Sequence, residues 1–155
     1  MQRLSRIIIA DTSCFILLDK IGSLTMIFEL FGAVTTTREV QNEFGKQLPE
    51  WVRIETVKDV NQQLILEAEI DKGEASAIAL AIERTNSLLI LDDLKARKLA
   101  TKLNLQFTGT LGVFLKAKQA GIIPCVKSII EKIQQTDFRF SEKIFQEILK
   151  TANED

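Results

Sequence analysis

The chain has 155 residues, 46% of them hydrophobic and 26% charged, with a formal net charge of −1. That is enough to bury one core, and the balance excludes polyanion binding by overall charge, though not by a local basic face. Histidine and tyrosine are absent, which excludes Ser-His-Asp and Cys-His catalysis, histidine general bases and imidazole zinc sites. In chain order, "RIIIA" (6–10) is a short β-branched run ending in "DTS", the pattern of a buried strand. The apolar run before Asp11 is too short for a signal peptide or membrane span, so a cytoplasmic protein with no membrane partner is expected. Leu24, Ile27, Phe28 and Phe31 then recur at helical spacing, with Ser23 placed to cap and Gly32 to terminate.

"AVTTT" (33–37) reads as a second strand leading into a helix with Val40 and Phe44 inward, and "WVRIETV" (51–57) as an edge strand or extended connection. Asp59 caps a helix through about Ile70, and another begins at Gly73 with Ala75, Ile78, Ala79 and Ile82 in one stripe. "LLIL" (88–91) is a third buried strand, followed by a helix with Leu99 and Leu103 inward. "LQFTG" (105–109) is a fourth strand, leading into "TLGVFLKAKQAG". Pro124 marks a helix start before Val126, Ile129, Ile130 and Ile133, and Ser141 opens a last helix with Ile144, Phe145, Ile148 and Leu149. Strands alternating with helices predict a single α/β domain over 1–155, with a parallel sheet of four to five strands covered by helices on both faces. Its core is expected over 6–125, with C-terminal helices over about 124–151. Cys14 and Cys125 lack both disulfide and metal-ligand spacing and are expected as buried thiols.

In such a sheet ligands bind beyond the carboxyl ends of the strands, and acids collect there. Asp11 ends the first strand, Asp92 and Asp93 end the third, Glu43 lies on the helix after the second, and Glu74 opens "GEASAIALA". Singly, each has another explanation. Asp11, Asp92 or Asp93 can cap a helix, Glu74 can sit favourably on a helix dipole, and Glu43 can be a solvated face. Together they repel unless a cation neutralises them. A hard divalent ion takes such oxygens and supports in-line phosphoryl displacement without histidine.

The ordered pieces "IIIADTSCFILLDKIG", "VTTTREVQNEFG", "DKGEASAIALAIE", "LLILDDLKARKLATKLNL" and "FTGTLGVFLKAKQAGII" resemble the PIN-domain family of VapC-like toxin ribonucleases, most closely its DUF3368-type branch. The resemblance implies a PIN-like fold and Mg²⁺- or Mn²⁺-dependent endonucleolytic cleavage of single-stranded RNA. It also implies homodimerisation and often an antitoxin protein that blocks the site. It assigns Asp11, Glu43, Glu74 and Asp93 as the catalytic, metal-binding acids, with Asp92 as a helix cap or outer partner of the metal. Two departures are visible: Glu74 stands where aspartate is usual, and Leu91 where many members carry threonine.

Lys95, Lys98 and Lys102 fall on one helical face beside Asp93, positioned to meet an RNA backbone; a solvated lysine face is the alternative. Thr12, Ser13 and Thr110 are further candidate substrate contacts, with helix capping as their alternative. Three functions fit these observations: a toxin-type endoribonuclease, a PIN-like binding module without activity, and a receiver-like phosphoacceptor. The last lacks paired acids after the first strand and a lysine after the last.

Overall fold

Residues 6–155 are described by a computed structural model; residues 1–5 of the expected domain lie outside the described residues. "IIIA" forms β1 (Ile7–Ala10), and its apolar residues serve both faces. Ile8 and Ala10 pack into one core, while Ile9 packs into a second across the sheet. β4 (Ser87–Ile90) repeats this, with Leu88 and Ile90 on the first side and Leu89 on the second. Period-2 alternation without a polar face is the signature of a strand covered twice.

β2 (Val34–Thr37), β3 (Val52–Glu55) and β5 (Phe107–Thr108) complete a parallel five-stranded sheet in the order β3-β2-β1-β4-β5. "WVRIETV" therefore contributes an edge strand. The order differs from the 2-1-3-4-5 sheet of receiver-like modules. Because β1 lies between β2 and β4, the winding reverses beside β1, and a crevice opens there at the carboxyl edge.

The first core is closed by α1 (Thr12–Lys20), α2 (Thr25–Phe31), α7 (Thr110–Gln119), α8 (Lys127–Gln134) and α9 (Glu142–Thr151), with α3 (Arg38–Phe44) contributing Val40. The second is closed by α4 (Val60–Glu67), α5 (Lys72–Glu83) and α6 (Leu94–Lys102). β2 carries three consecutive buried threonines, and the hydroxyls of Thr36 and Thr37 are satisfied locally. Thr36 donates to the Ala10 carbonyl at 2.7 Å, and Thr37 caps α3 and shares a 2.7 Å hydrogen bond with Ser76 of α5. These bonds fix β2, α3 and α5 against the end of β1.

Several local expectations are corrected. α1 starts directly after Asp11. The sequence hid it because Ile16, on the half-buried face opposite Cys14, Leu17 and Leu18, makes "CFILL" a continuous apolar run rather than a stripe. Ser23 does not cap α2, whose N-cap is Leu24; its hydroxyl donates to the Ile21 carbonyl instead. Leu103 lies past the end of α6 and is exposed, while the small Ala96 and Ala100 bring that helix close against the sheet. α8 starts at Lys127, beyond Pro124, and Cys125 is only half buried. No helix among the described residues is long and apolar enough to cross a membrane.

Candidate active site

The two adjacent aspartates after β4 are divided between two tasks. Asp93 adopts extended backbone and accepts a 3.0 Å hydrogen bond from the Ala96 amide, capping α6. Asp92 turns the other way. One of its oxygens accepts the Thr110 amide at 2.7 Å, and the other accepts the hydroxyls of Thr110 at 2.6 Å and Ser13 at 2.8 Å. The cap expected of Asp92 thus belongs to Asp93, since the residue adjoining the helix takes it, and both residues line the cavity described below.

"GTLG" (109–112) explains itself around Asp92. A side chain at Gly109 would begin 3.2 Å from the Asp92 carboxylate, and one at Gly112 would begin 2.3 Å from the Thr108 hydroxyl. Glycine at both places lets the start of α7 approach Asp92 closely enough for Thr110 to donate twice.

Asp11 follows β1, and its amide donates to the Ile90 carbonyl at 3.1 Å, which ties the ends of β1 and β4 together. Although Asp11 holds the N-cap position of α1, its side chain makes no capping hydrogen bond. Its Oδ1 is buried without a partner. Such an orphaned acceptor is costly in a native fold and asks for an explanation.

Glu43 is reached from two elements. Thr12 donates its hydroxyl to one carboxylate oxygen at 2.8 Å, and the Gly73 amide donates to the other at 2.9 Å. A Cβ on Gly73 would sit 2.5 Å from that carboxylate, so only glycine permits this approach. Glu74 forms a capping box with Asp71, each carboxylate accepting the other's amide. Sequence reasoning missed Asp71, although an acid three residues before Glu74 at a helix start is the signal of that box.

Asp11, Glu43, Asp71, Glu74, Asp92 and Asp93 line one open cavity of about 480 Å³. Thr12 and Ser13 also line it, but their hydroxyls, like that of Thr110, are donated to the acids. Lys95, Lys98 and Lys102 are exposed on α6 and are not among its lining residues. The cationic residue there is Arg139, between Phe138 and Phe140 in the segment joining α8 to α9. No local pattern in the sequence marks it. Lys20 holds this segment by pairing with Asp137 and by lying 5.7 Å above the Phe138 ring.

The crowding is electrostatically expensive. Burial, reinforced by Asp71, Glu43 and Asp92, raises the Asp11 pKa to about 7, offset in part by the Thr12 amide. Burial, then Asp71, Asp93 and Asp11, raises Glu74 to about 8. Among the described residues no three carboxylates are gathered into a ready-made cation cage. The orphaned Asp11 oxygen and an all-oxygen donor set nevertheless fit a hard divalent ion. They fit it as an open site, in which one or two carboxylates hold the ion and water and substrate phosphate complete its shell.

An acid with a raised folded-state pKa keeps a proton that the unfolded chain has released. Its stabilising contribution is therefore complete below its ordinary value of 3.8 for Asp11 or 4.5 for Glu74, and is lost as pH rises through about 7 or about 8. Metal-free protein should consequently lose stability between pH 5 and pH 8. Asp11→Asn should flatten that decline by up to about 1.4 kcal/mol per pH unit. Urea unfolding of both proteins across this range checks it, and parallel pH profiles would contradict the crowding.

A second expectation concerns Gly73→Ala. The obstructing atoms belong to a flexible side chain, so the melting temperature should move by only a few degrees. Glu43 must leave its place, however, and any activity that depends on the acid-lined edge should fall at least about tenfold. Thermal melting and activity assays on the same preparation separate the two effects.

No curated protein and no solved structure matches the chain closely enough to count as similar. One family does match: the model described as "DUF3368: PIN domain" covers residues 7–154, nearly the whole length, and the five-stranded parallel sheet flanked by helices is consistent with that fold. The chain belongs to the PIN-domain family.

Proposed function

We propose that the protein is a Mg²⁺- or Mn²⁺-dependent endoribonuclease that hydrolyses phosphodiester bonds of single-stranded RNA. We further propose that it acts as a homodimeric toxin held in check by an antitoxin protein. PIN domains are in general nucleases, which supports the reaction class; the toxin role, the dimer and the antitoxin rest on the resemblance alone. The observation that carries the catalytic reading is the buried, unpartnered Oδ1 of Asp11 inside a cavity lined by six acids.

Asp11 and Asp92 are the proposed cation holders, with Glu43, Glu74 and Asp93 adding negative charge around them. A divalent ion bound there supplies a Lewis acid for the scissile phosphate and a water of lowered pKa. The chain's own residues do the positioning. Ser13 and Thr110 fix the Asp92 carboxylate, and Thr12 and the Gly73 amide fix Glu43. Before a cation binds, the raised pKa of Glu74 keeps a proton on its carboxyl at neutral pH. The exposed Lys95, Lys98 and Lys102 remain proposed backbone contacts outside the cavity, contributing salt-dependent affinity.

A PIN-like binding module without activity is the second reading. It is favoured by the lack, among the described residues, of a preformed group of three carboxylates.

Paired substitutions decide between them. Asp92→Asn keeps the shape, because the Ser13 and Thr110 hydroxyls can turn to accept from the new amide; it should abolish most Mn²⁺-dependent cleavage of single-stranded RNA. Asp93→Asn replaces one good cap by another and should retain both stability and much more activity. The wild-type melting temperature should also rise with Mn²⁺ at fixed ionic strength, and that of Asp92→Asn should rise less. If wild-type protein cleaves no RNA and ignores Mn²⁺, the binding-module reading stands instead.

A further inference from the structure

Beside the acid cavity lies a second one of about 400 Å³, and the two share Asp92 and Phe140 as lining residues. Its chemistry differs. Where the first is ringed by carboxylates, the second presents Arg97 of α6 at one side and the apolar Ile144 and Ile148 of α9 at another, with Glu147 also on its wall. Its size falls within the range of about 300–1,000 Å³ usual for small-molecule sites.

Arg97 is held ready rather than spent. Its guanidinium lies 5.1 Å from the centre of the Phe107 ring, and among the described residues it has no carboxylate partner. A Cβ on Gly109 would stand 3.2 Å from Asp92 Oδ1 and 3.9 Å from the Arg97 guanidinium. The bare backbone at Gly109 therefore joins the acid site to the arginine with no side chain between them. Phe140 is likewise fixed, packing edge-on against Phe145 of α9 at 5.7 Å between ring centres. The end of α9 is anchored in turn. Glu154 accepts the amides of Val126 and Lys127 at 2.7 and 2.9 Å and pairs with Lys118.

We infer that this second cavity is the subsite for the nucleotide flanking the cleaved bond, with its base stacked on Phe140 and its phosphate paired with Arg97. The inference rests on the nuclease reading above. A planar guanidinium matches phosphate by paired donors, and an unstacked base is held by an aromatic face against apolar walls. The Glu147 carboxylate repels a second phosphate, so the isoleucine side of the cavity takes the base and the Gly109 side takes the backbone. The arrangement also selects single strands, because the base must leave its stack to enter.

The test uses the whole chain carrying Asp11→Asn, in which loss of a proposed cation-holding carboxylate is expected to stop cleavage, in Mn²⁺ with fluorescein-labelled short single-stranded RNA. Each nucleotide is replaced in turn by an abasic spacer. One position, adjacent to the bond that wild-type protein cuts, should lose about tenfold in affinity, the scale of a single stacked base. Adding Phe140→Leu, which keeps an apolar contact for Phe145 but removes the ring face, should erase that positional loss. Arg97→Ala should weaken binding of the intact RNA, with Arg97→Lys recovering only part. A flat abasic scan, or a scan unchanged by Phe140→Leu, overturns the subsite while wild-type cleavage keeps the nuclease reading intact. Absence of both RNA binding and wild-type cleavage overturns the two together.

Discussion

The three hydrogen bonds received by Asp92 are the interaction on which the site depends. They come from α1 and α7, helices that follow different strands, and they pin a carboxylate at the reversal in sheet winding beside β1. Like charges gathered at that edge would otherwise splay apart. Donors from two helices hold Asp92 in place, the Thr12 hydroxyl and Gly73 amide do the same for Glu43, and the Asp71 box holds Glu74. One oxygen of Asp11 is buried in the same cavity without such a partner, and that is the observation that supports the proposed cation there.

The fold supplies the positions at which these donors can act. β1 and β4 are apolar on both faces, so helices must cover the sheet twice; α1, α3, α6 and α7 begin where a strand has just ended, and the start of α5, which follows α4, packs beside them. The site is thus an assembly of helix starts: α1 after Asp11, α5 after Asp71, α6 after Asp93 and α7 after Gly109. Acids and hydroxyls favoured as caps are concentrated there by ordinary helix chemistry. The site differs from plain capping at Asp11, which holds the N-cap position of α1 without a side-chain cap bond, and at Asp92, which caps no helix of its own and is held instead by Ser13 and Thr110.

Much of this was legible in the sequence. Alternating runs such as "LLIL" and the stripe in "GEASAIALA" gave the sheet and its covering helices, and Asp11, Glu43, Glu74, Asp92 and Asp93 do share one cavity. Three things were not legible. α1 buries Cys14, Phe15, Leu17 and Leu18 on one face, but Ile16 on the opposite, half-buried face masks the stripe in the sequence. The division of labour between Asp92 and Asp93 turns on which carboxylate meets the Ala96 amide, a matter of backbone direction that adjacent identical residues cannot signal. Arg139 and Phe140 reach the strand edge only through the packing of α8 and α9, so no local spacing announces them. Asp71 is a different case, since the capping-box spacing of Asp71 and Glu74 is a local pattern that the sequence itself displays.

The central claim is that the crowded acids form an open divalent-cation site. Isothermal titration of Mn²⁺ into metal-free protein at pH 7, repeated in buffers of different ionisation enthalpy, tests it most directly because it counts protons as well as binding. Saturable binding with net proton release is expected, since burial and neighbouring carboxylates raise the Asp11 and Glu74 pKa values to about 7 and about 8 and a cation displaces the protons they hold. Asp11→Asn is expected both to weaken binding and to reduce the release. Binding without proton release, or no binding at all, would contradict the claim.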